Sequence, residues 1–246
     1  MKNKQKRPSL YGTHAVREAW CNPDRDIQQL LITASALKSF EHIINKTKHL
    51  SRPAPTVLDK DKLDDLMPRG SVHQGIGVVC SDLPEMDIQS LIIRNHDQDN
   101  VCLLMLDQVT DPHNVGAILR SAEALGANGL IMQRKHAPDL GGVLAKTACG
   151  ALEHMPVTFE TNLSRTLETL KDAGYFVYGL DERGENIKTM KSGGKTVLIL
   201  GAEGPGMRRL IKENCDTLLK IPMNGTTESL NVSNAAAIAL YQMIGQ

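Results

Sequence analysis

Aromatic residues are scarce in this 246-residue sequence, 3% of the total with a single Trp, so whatever it binds finds few platforms for stacking. Its five cysteines, Cys21, Cys80, Cys102, Cys149 and Cys215, are scattered, odd in number and form no C-x-x-C pair. Neither a disulfide framework nor a zinc site is therefore expected, and the thiols read as reduced, small apolar side chains. The eight histidines show no H-E-x-x-H or other close ligand spacing, so no metal centre is expected. No apolar run reaches bilayer-spanning length, and the basic opening Met-Lys-Asn-Lys-Gln-Lys-Arg lacks the apolar stretch of a secretory signal. A cytoplasmic protein without a membrane span is the expectation. Net charge is missing too: 28 Lys and Arg balance 28 Asp and Glu, which argues against a uniformly basic nucleic-acid surface.

What is present is an uneven distribution. Residues 1–82 hold 13 Lys and Arg against 9 Asp and Glu, whereas the remainder holds 15 against 19. An electrostatic footprint for RNA would lie in the first part, although a solvated charged surface explains the same count equally well. From Tyr11 to Cys80, helical and strand patterns alternate: a helix over Thr13 to Trp20, a strand at "LLIT", an amphipathic helix through "SFEHIINKTKHL", a strand at "PTVL", a short helix from Asp59 and a strand at "GIGVVC". Residues 83–100 turn polar, as a connection with a short helical piece would. From residue 101 to 246, apolar strands at "VCLLMLD", "GLIM", "YFVYGL", "TVLIL" and "DTLLKI" alternate with helical stretches at Asn114 to Leu125, Leu163 to Asp172 and Met207 to Asn214, and a closing helix runs from Asn234 to Ile244. This pattern predicts an α/β fold on a mostly parallel sheet, preceded by a smaller N-terminal α/β domain.

Three loops follow apolar strands of the second domain, and ligands in open parallel sheets bind beyond the carboxyl ends of strands. In "LDQVTDPHNVGAILRSAEALG", Asp107 ends a strand, Asp111 to Asn114 make a turn, and Gly116 and Arg120 share a helix face that Asn114 does not. Capping alone could account for Asn114. In "LILGAEGPGMRRL", the glycines follow G-x-x-G-x-G rather than the dinucleotide G-x-G-x-x-G. Glu203 in its middle would repel a pyrophosphate and suits a cationic ligand better. In "IPMNGTTESLNVSNAAAIALYQM", a polar turn carrying Ser229, Asn231 and Ser233 precedes a helix apolar nearly all round, which must be buried against the sheet and something further, with a partner subunit as one candidate.

These three segments, in this order and spacing, resemble the motifs of the SpoU (TrmH) family of RNA ribose 2'-O-methyltransferases. "YGTHAVREAW" and "VHQGIGVV" extend the resemblance over nearly the whole chain, to the N-terminal domain of the RlmB-type 23S rRNA guanosine methyltransferases. The resemblance implies a C-terminal α/β-knot domain over residues 101–246, trefoil-knotted, which is a rare exception to unthreaded chains. It implies a linker over 83–100 and a ribosomal-protein-like RNA-binding domain over 1–82. It further implies a homodimer that binds S-adenosylmethionine and acts on RNA, 23S rRNA or a ribosomal precursor particle, and not on DNA. The polar turn would then line the cofactor pocket, and the apolar helix would be buried in the knot and dimer.

Carried onto this sequence, the resemblance places the cofactor at Leu200, Gly201, Ile221, Met223 and Leu230, and the active site at Asn114, Arg120, Glu203, Ser229 and Asn231. Arg120 is the family's proposed base, but a guanidinium stays protonated far above neutral pH. A fixed Arg120 would instead hold a phosphate and stabilise developing alkoxide charge. Asn231 and Ser229 would orient Arg120 or the ribose, and Glu203 would order the loops. In the N-terminal domain, Arg17, Lys38 and the basic tail are candidate phosphate contacts, while His14 and His73 are expected to pack or hydrogen-bond locally. A tRNA or other rRNA target and a catalytically idle RNA-binding or ribosome-assembly factor are the competing readings.

Overall fold

The computed structural model describes residues 6–190, 193–227 and 229–244. In chain order the elements are β1 (Leu10–Tyr11), α1 (Thr13–Cys21), β2 (Ile27–Ile32), α2 (Ala34–Lys46), β3 (Thr56–Val57), α3 (Lys60–Asp64) and β4 (Ile76–Cys80). Then come α4 (Ile88–Arg94), β5 (Val101–Asp107), α5 (Pro112–Leu125), β6 (Gly129–Gln133), α6 (Gly142–Thr147) and a 3-10 turn at Ala151–Glu153. Last are β7 (Val157–Glu160), α7 (Leu163–Asp172), β8 (Phe176–Asn186), a second 3-10 turn at Ile187–Thr189, β9 (Lys195–Gly201), α8 (Arg209–Glu213), β10 (Thr217–Lys220) and α9 (Val232–Ile244). They form two compact units.

The first unit runs through Pro84 and takes back the segment Asp139–Glu153. Its sheet has the order β1-β4-β2-β3, antiparallel except between β2 and β3. The second helix begins at Ala34 rather than Ser39, because Thr33 caps it by accepting the Ala36 N–H on Oγ1 at 3.3 Å. Trp20 meets Phe40 edge-on at 6.1 Å between ring centroids and donates its indole N–H to Thr47 Oγ1 at 2.9 Å, which satisfies the polar end of a buried aromatic.

Strand and helix alternation would leave Asp139–Glu153 with the second unit; charge pairing decides otherwise. The Glu153 carboxylate, 2% exposed, accepts from Arg25 Nη2 at 2.6 Å, Arg25 Nε at 3.2 Å and Asn22 Nδ2 at 2.8 Å. A buried carboxylate needs such partners, and they stand in the first unit. The Arg52 guanidinium closes the same region by donating to the carbonyls of Trp20, Asn22 and Arg25. Burial pulls the Arg52 pKa below its ordinary value.

The second unit is a six-stranded sheet, parallel throughout, in the order β10-β8-β9-β5-β6-β7. Central β5 is buried along its whole length, and its alternate residues serve two layers. Val101, Leu103 and Met105 join Leu91 of α4 and Leu163, Leu167 and Leu170 of α7 in one core. On the other face the Cys102 thiol contacts Met243 Sδ of α9 at 3.2 Å. Burial pushes that thiol up to about 12, so it stays protonated and apolar. All five cysteines are free. No helix among the described residues is long and apolar enough to cross a membrane.

Candidate active site

In the second sheet the chain proceeds from β5 outward through β6 and β7, then crosses to β8 and β9 on the other side. The direction of winding reverses between β5 and β9, the kind of position at which open parallel sheets bind ligands beyond the carboxyl ends of their strands. Both strands end here, with Asp107 opposite Gly201.

Asp107 is fully buried at this edge. Its Oδ2 accepts the Arg208 backbone N–H at 2.8 Å, and its Oδ1 accepts Arg208 Nε at 2.8 Å and Nη2 at 2.7 Å. The loop between β9 and α8 is thereby fastened to β5. At Gly201 a Cβ would lie 2.2 Å from the Gly206 and Met207 backbone, and Gly204 and Gly206 adopt left-handed φ of 82° and 68°. These glycines are required by a loop that folds back on its own strand, which accounts for a spacing foreign to dinucleotide binding. Sequence reasoning missed this clamp, although an acid ending an otherwise apolar strand was its visible signal.

The fold presents Glu203 at the top of that loop. Its Oε1 accepts from Asn231 Nδ2 at 2.6 Å, from Asn114 Nδ2 at 3.2 Å and from the Val232 N–H at 3.4 Å. Asn231 Nδ2 also donates to Asn114 Oδ1 at 2.9 Å, while Asn231 Oδ1 accepts the Ser233 N–H at 2.9 Å and the Ser233 hydroxyl at 2.5 Å. Three loops distant in sequence thus close on one carboxylate. Asn114 does not cap α5: Asp111 does, accepting the His113 N–H at 2.9 Å with Pro112 in the first turn, which leaves the Asn114 side chain for the cluster. Asn231 combines both duties, cap-like acceptor and amide donor, and its side chain is saturated.

Arg120 lies six residues along α5 from Asn114, on an exposed position. Among the described residues it makes no hydrogen bond or ion pair, so its guanidinium is not drawn into the Glu203 cluster. Ser229 is likewise exposed, with no partner among the described residues. Of the five active-site candidates, three are brought together and two remain available to a ligand.

The five cofactor candidates fall on the same edge. Leu200 is buried just before Gly201 at the end of β9, Ile221 follows β10, Met223 is 38% exposed and Leu230 is half-buried before α9. The described residues of 222–230 make no backbone hydrogen bond with one another or with the rest of the described chain. Backbone groups without a backbone partner among the described residues, beside Met223 and Leu230, offer polar edges and an apolar surface of the kind that a nucleoside would need. No group of residues able to hold a metal occurs among the described residues.

Comparison with known proteins agrees with this layout. The SpoU rRNA Methylase family matches residues 102–241, and the domain described as RNA 2'-O ribose methyltransferase substrate binding matches residues 9–86. The chain is 37% identical to the 23S rRNA (guanosine-2'-O-)-methyltransferase RlmB of Haemophilus ducreyi over 96% of this chain and 97% of that protein. It is 37% identical to RlmB of Haemophilus influenzae, again over 96% and 97%. Among solved structures, the SpoU methyltransferase AviRb of Streptomyces viridochromogenes superposes with a TM-score of 0.79 at 25% identity, covering 96% of this chain and 88% of its own. The same protein in complex with AdoMet gives a TM-score of 0.77 at 24% identity, over 96% and 89%. With residues 9–86 and 102–241 both matched, this chain belongs to the SpoU family of RNA ribose 2'-O-methyltransferases, whose cofactor is S-adenosylmethionine.

Proposed function

We propose that the chain methylates the ribose 2'-hydroxyl of a guanosine in 23S rRNA, as a cytoplasmic homodimer. The observation that carries the chemistry is the Asn114, Glu203 and Asn231 cluster at the β5 and β9 ends, with Arg120 further along α5 and without a partner among the described residues. The guanosine target rests on the RlmB relatives, which match along nearly their full length. Dimerisation is supported by α9, a strongly apolar helix that leaves Tyr241 66% and Ile238 42% exposed. A trefoil knot is supported by the chain path: β10 lies at one edge of the sheet, yet α9 packs back against α5 and β9.

Leu200, Gly201, Ile221, Met223 and Leu230 would hold S-adenosylmethionine, which supplies a sulfonium methyl for in-line displacement without a metal or a covalent enzyme intermediate. The residues of this chain supply alignment and charge. Arg120 holds an RNA phosphate and stabilises negative charge growing on the 2'-oxygen, while the proton passes to a phosphate oxygen or to water. The saturated Asn231 side chain is a strut for Glu203, so orientation of the ribose or of Arg120 falls to Ser229. Glu203 holds the three loops in register. The N-terminal domain, residues 1–82 with the 83–100 stretch as connection, grips RNA; Lys38 and Arg17 are its candidate phosphate contacts, and Arg17 also pairs with Glu18 at 2.7 Å. The basic tail as far as residue 5 lies outside the described residues.

The test is methyl transfer from labelled S-adenosylmethionine to ribosomal RNA and precursor particles lacking this modification, followed by mapping of the new 2'-O-methyl mark. A mark on a 23S guanosine is expected. A mark on tRNA would keep the chemistry and overturn the target, and absence of both transfer and cofactor binding would favour the idle RNA-binding reading.

A further inference from the structure

The sequence contains two Asn-Gly pairs, Asn128-Gly129 and Asn224-Gly225, and the fold treats them in opposite ways. Asn128 is locked. Its Oδ1 accepts the Cys102 N–H at 2.9 Å, its Nδ2 donates to Gln98 Oε1 at 2.9 Å, and its own N–H donates to Cys102 O at 2.8 Å. Gly129 is the first residue of β6, buried opposite Leu103, and a Cβ there would sit 2.9 Å from Leu91. Asn224 and Gly225 are both exposed, neither makes a hydrogen bond among the described residues, and a Cβ built on Gly225 would meet nothing within 4 Å.

We propose that Asn224 is a site of spontaneous covalent modification, deamidation through a succinimide, and that Asn128 is protected from the same reaction by the fold. The Gly225 backbone nitrogen attacks Asn224 Cγ and gives its proton to solvent base; the Cγ–Nδ2 bond breaks and ammonia leaves, closing a five-membered imide. Water then adds to one of the two imide carbonyls. Opening at Cγ yields aspartate, and opening at the main-chain carbonyl yields isoaspartate, in which the chain continues through the side chain with one extra methylene. No oxidant, reductant or enzyme is required. What the reaction requires is an amide nitrogen without a competing hydrogen bond, a side chain free to rotate and no Cβ in the path, and the 224-225 pair meets all three conditions. At the 128-129 pair the reaction must wait for local opening of the β5 and β6 edge, and the rate falls by the fraction of molecules that are open, exponentially with the opening free energy.

The functional consequence rests on the cofactor reading given above. Modification places a new negative charge, and in the isoaspartate form a lengthened backbone, directly after Met223. Occupancy by S-adenosylmethionine would hold this loop and slow the reaction, and the modified enzyme would bind the cofactor more weakly.

The test is incubation of the full chain at mildly alkaline pH, with peptide mapping by mass spectrometry that separates aspartate from isoaspartate. Conversion at Asn224 at least about tenfold faster than at Asn128 is the expected result. Asn224→Gln should abolish it, and Gly225→Ala, which the open space accommodates, should slow it. Equal rates at both pairs, or no conversion at Asn224, would overturn the proposal. Repeating the incubation with saturating S-adenosylmethionine separates the two ideas: slowed conversion supports the cofactor placement, whereas an unchanged rate overturns that placement and leaves the modification site standing.

Discussion

Each unit of this chain gathers several hydrogen bonds on one glutamate, and the two glutamates are held in opposite ways. Glu153 is 2% exposed, joined to an arginine that is itself 3% exposed and to an asparagine amide. Glu203 is exposed, joined to two asparagine amides and one main-chain N–H, while Arg120, the arginine of the α5 motif, makes no hydrogen bond or ion pair among the described residues. In the first case the cation is consumed by the fold, because a buried carboxylate without a counter-charge is prohibitive. In the second, neutral amides and a main-chain N–H fix the carboxylate, and no cation pairs with it among the described residues. Counting charges along the sequence does not separate these cases. Arg25 and Arg52 contribute to the positive balance of residues 1–82, yet both guanidinium groups are taken up by internal carbonyls and by Glu153.

The largest effect that would break this contrast belongs to Glu153. Glu153→Ala leaves Arg25 buried and unpaired, and should lower unfolding free energy by about 3–5 kcal/mol in urea titrations. A loss no greater than that of Glu203→Ala would mean that burial does not distinguish the two sites. Arg120→Ala comes next and should act on chemistry alone: single-turnover methyl transfer falls by about 10²- to 10³-fold, while stability shifts by no more than about 0.5 kcal/mol. Near-native transfer would remove Arg120 from the mechanism. Glu203→Ala should reduce stability by about 1 kcal/mol, the scale of an exposed hydrogen-bonded cluster, yet reduce activity well beyond that of Glu203→Gln, because the amide retains an acceptor oxygen for Asn231 and Val232.

The smallest effect sharpens the comparison at an intermediate case. Asp181, 7% exposed at its side chain, pairs with Lys212 at 2.5 Å and with Arg183 at 3.5 Å. Burial pushes its carboxyl up, but the Lys212 hydrogen bond, the Arg183 N–H and both cations outweigh that and leave it below its ordinary value. A depressed folded pKa means stability that is present above the unfolded pKa near about 4 and lost as pH falls through the folded value. The urea midpoints of wild type and Asp181→Asn should therefore differ by a constant amount at neutral pH and converge only below about pH 4.

Much of the second unit was legible because buried parallel strands are apolar runs: β5, β6 and β9 are buried almost throughout, and the apolar start of β8 and the Leu218-Leu219 pair of β10 still mark those strands. The edge strand β7, whose Val-Thr-Phe-Glu holds no unbroken apolar run, and the two-residue β1 were not. The parallel α/β sheet and the candidate residues at its strand ends could be read from motif and spacing. The mixed sheet of the first unit could not, since hairpin-free antiparallel pairing such as that of β2 with β4 leaves no local trace. Asn114 is a good measure of the boundary. Its residue type suits a helix cap, and only the presence of Asp111 three residues earlier, turned to take the His113 N–H, frees it for Glu203.

The sequence by itself determined the strand and helix succession of the second unit, the residue types at its loops and the family to which these belong, because each is encoded within a few neighbouring residues. Tertiary structure alone decided that Asn114, Glu203 and Asn231 share a cluster, that Asp107 clamps Arg208, that Asp139–Glu153 joins the first unit, and which of two identical Asn-Gly pairs is locked. All four depend on polar groups far apart in the chain, and hydrogen bonding and burial, which act through space, assign their partners only after the sheets have formed.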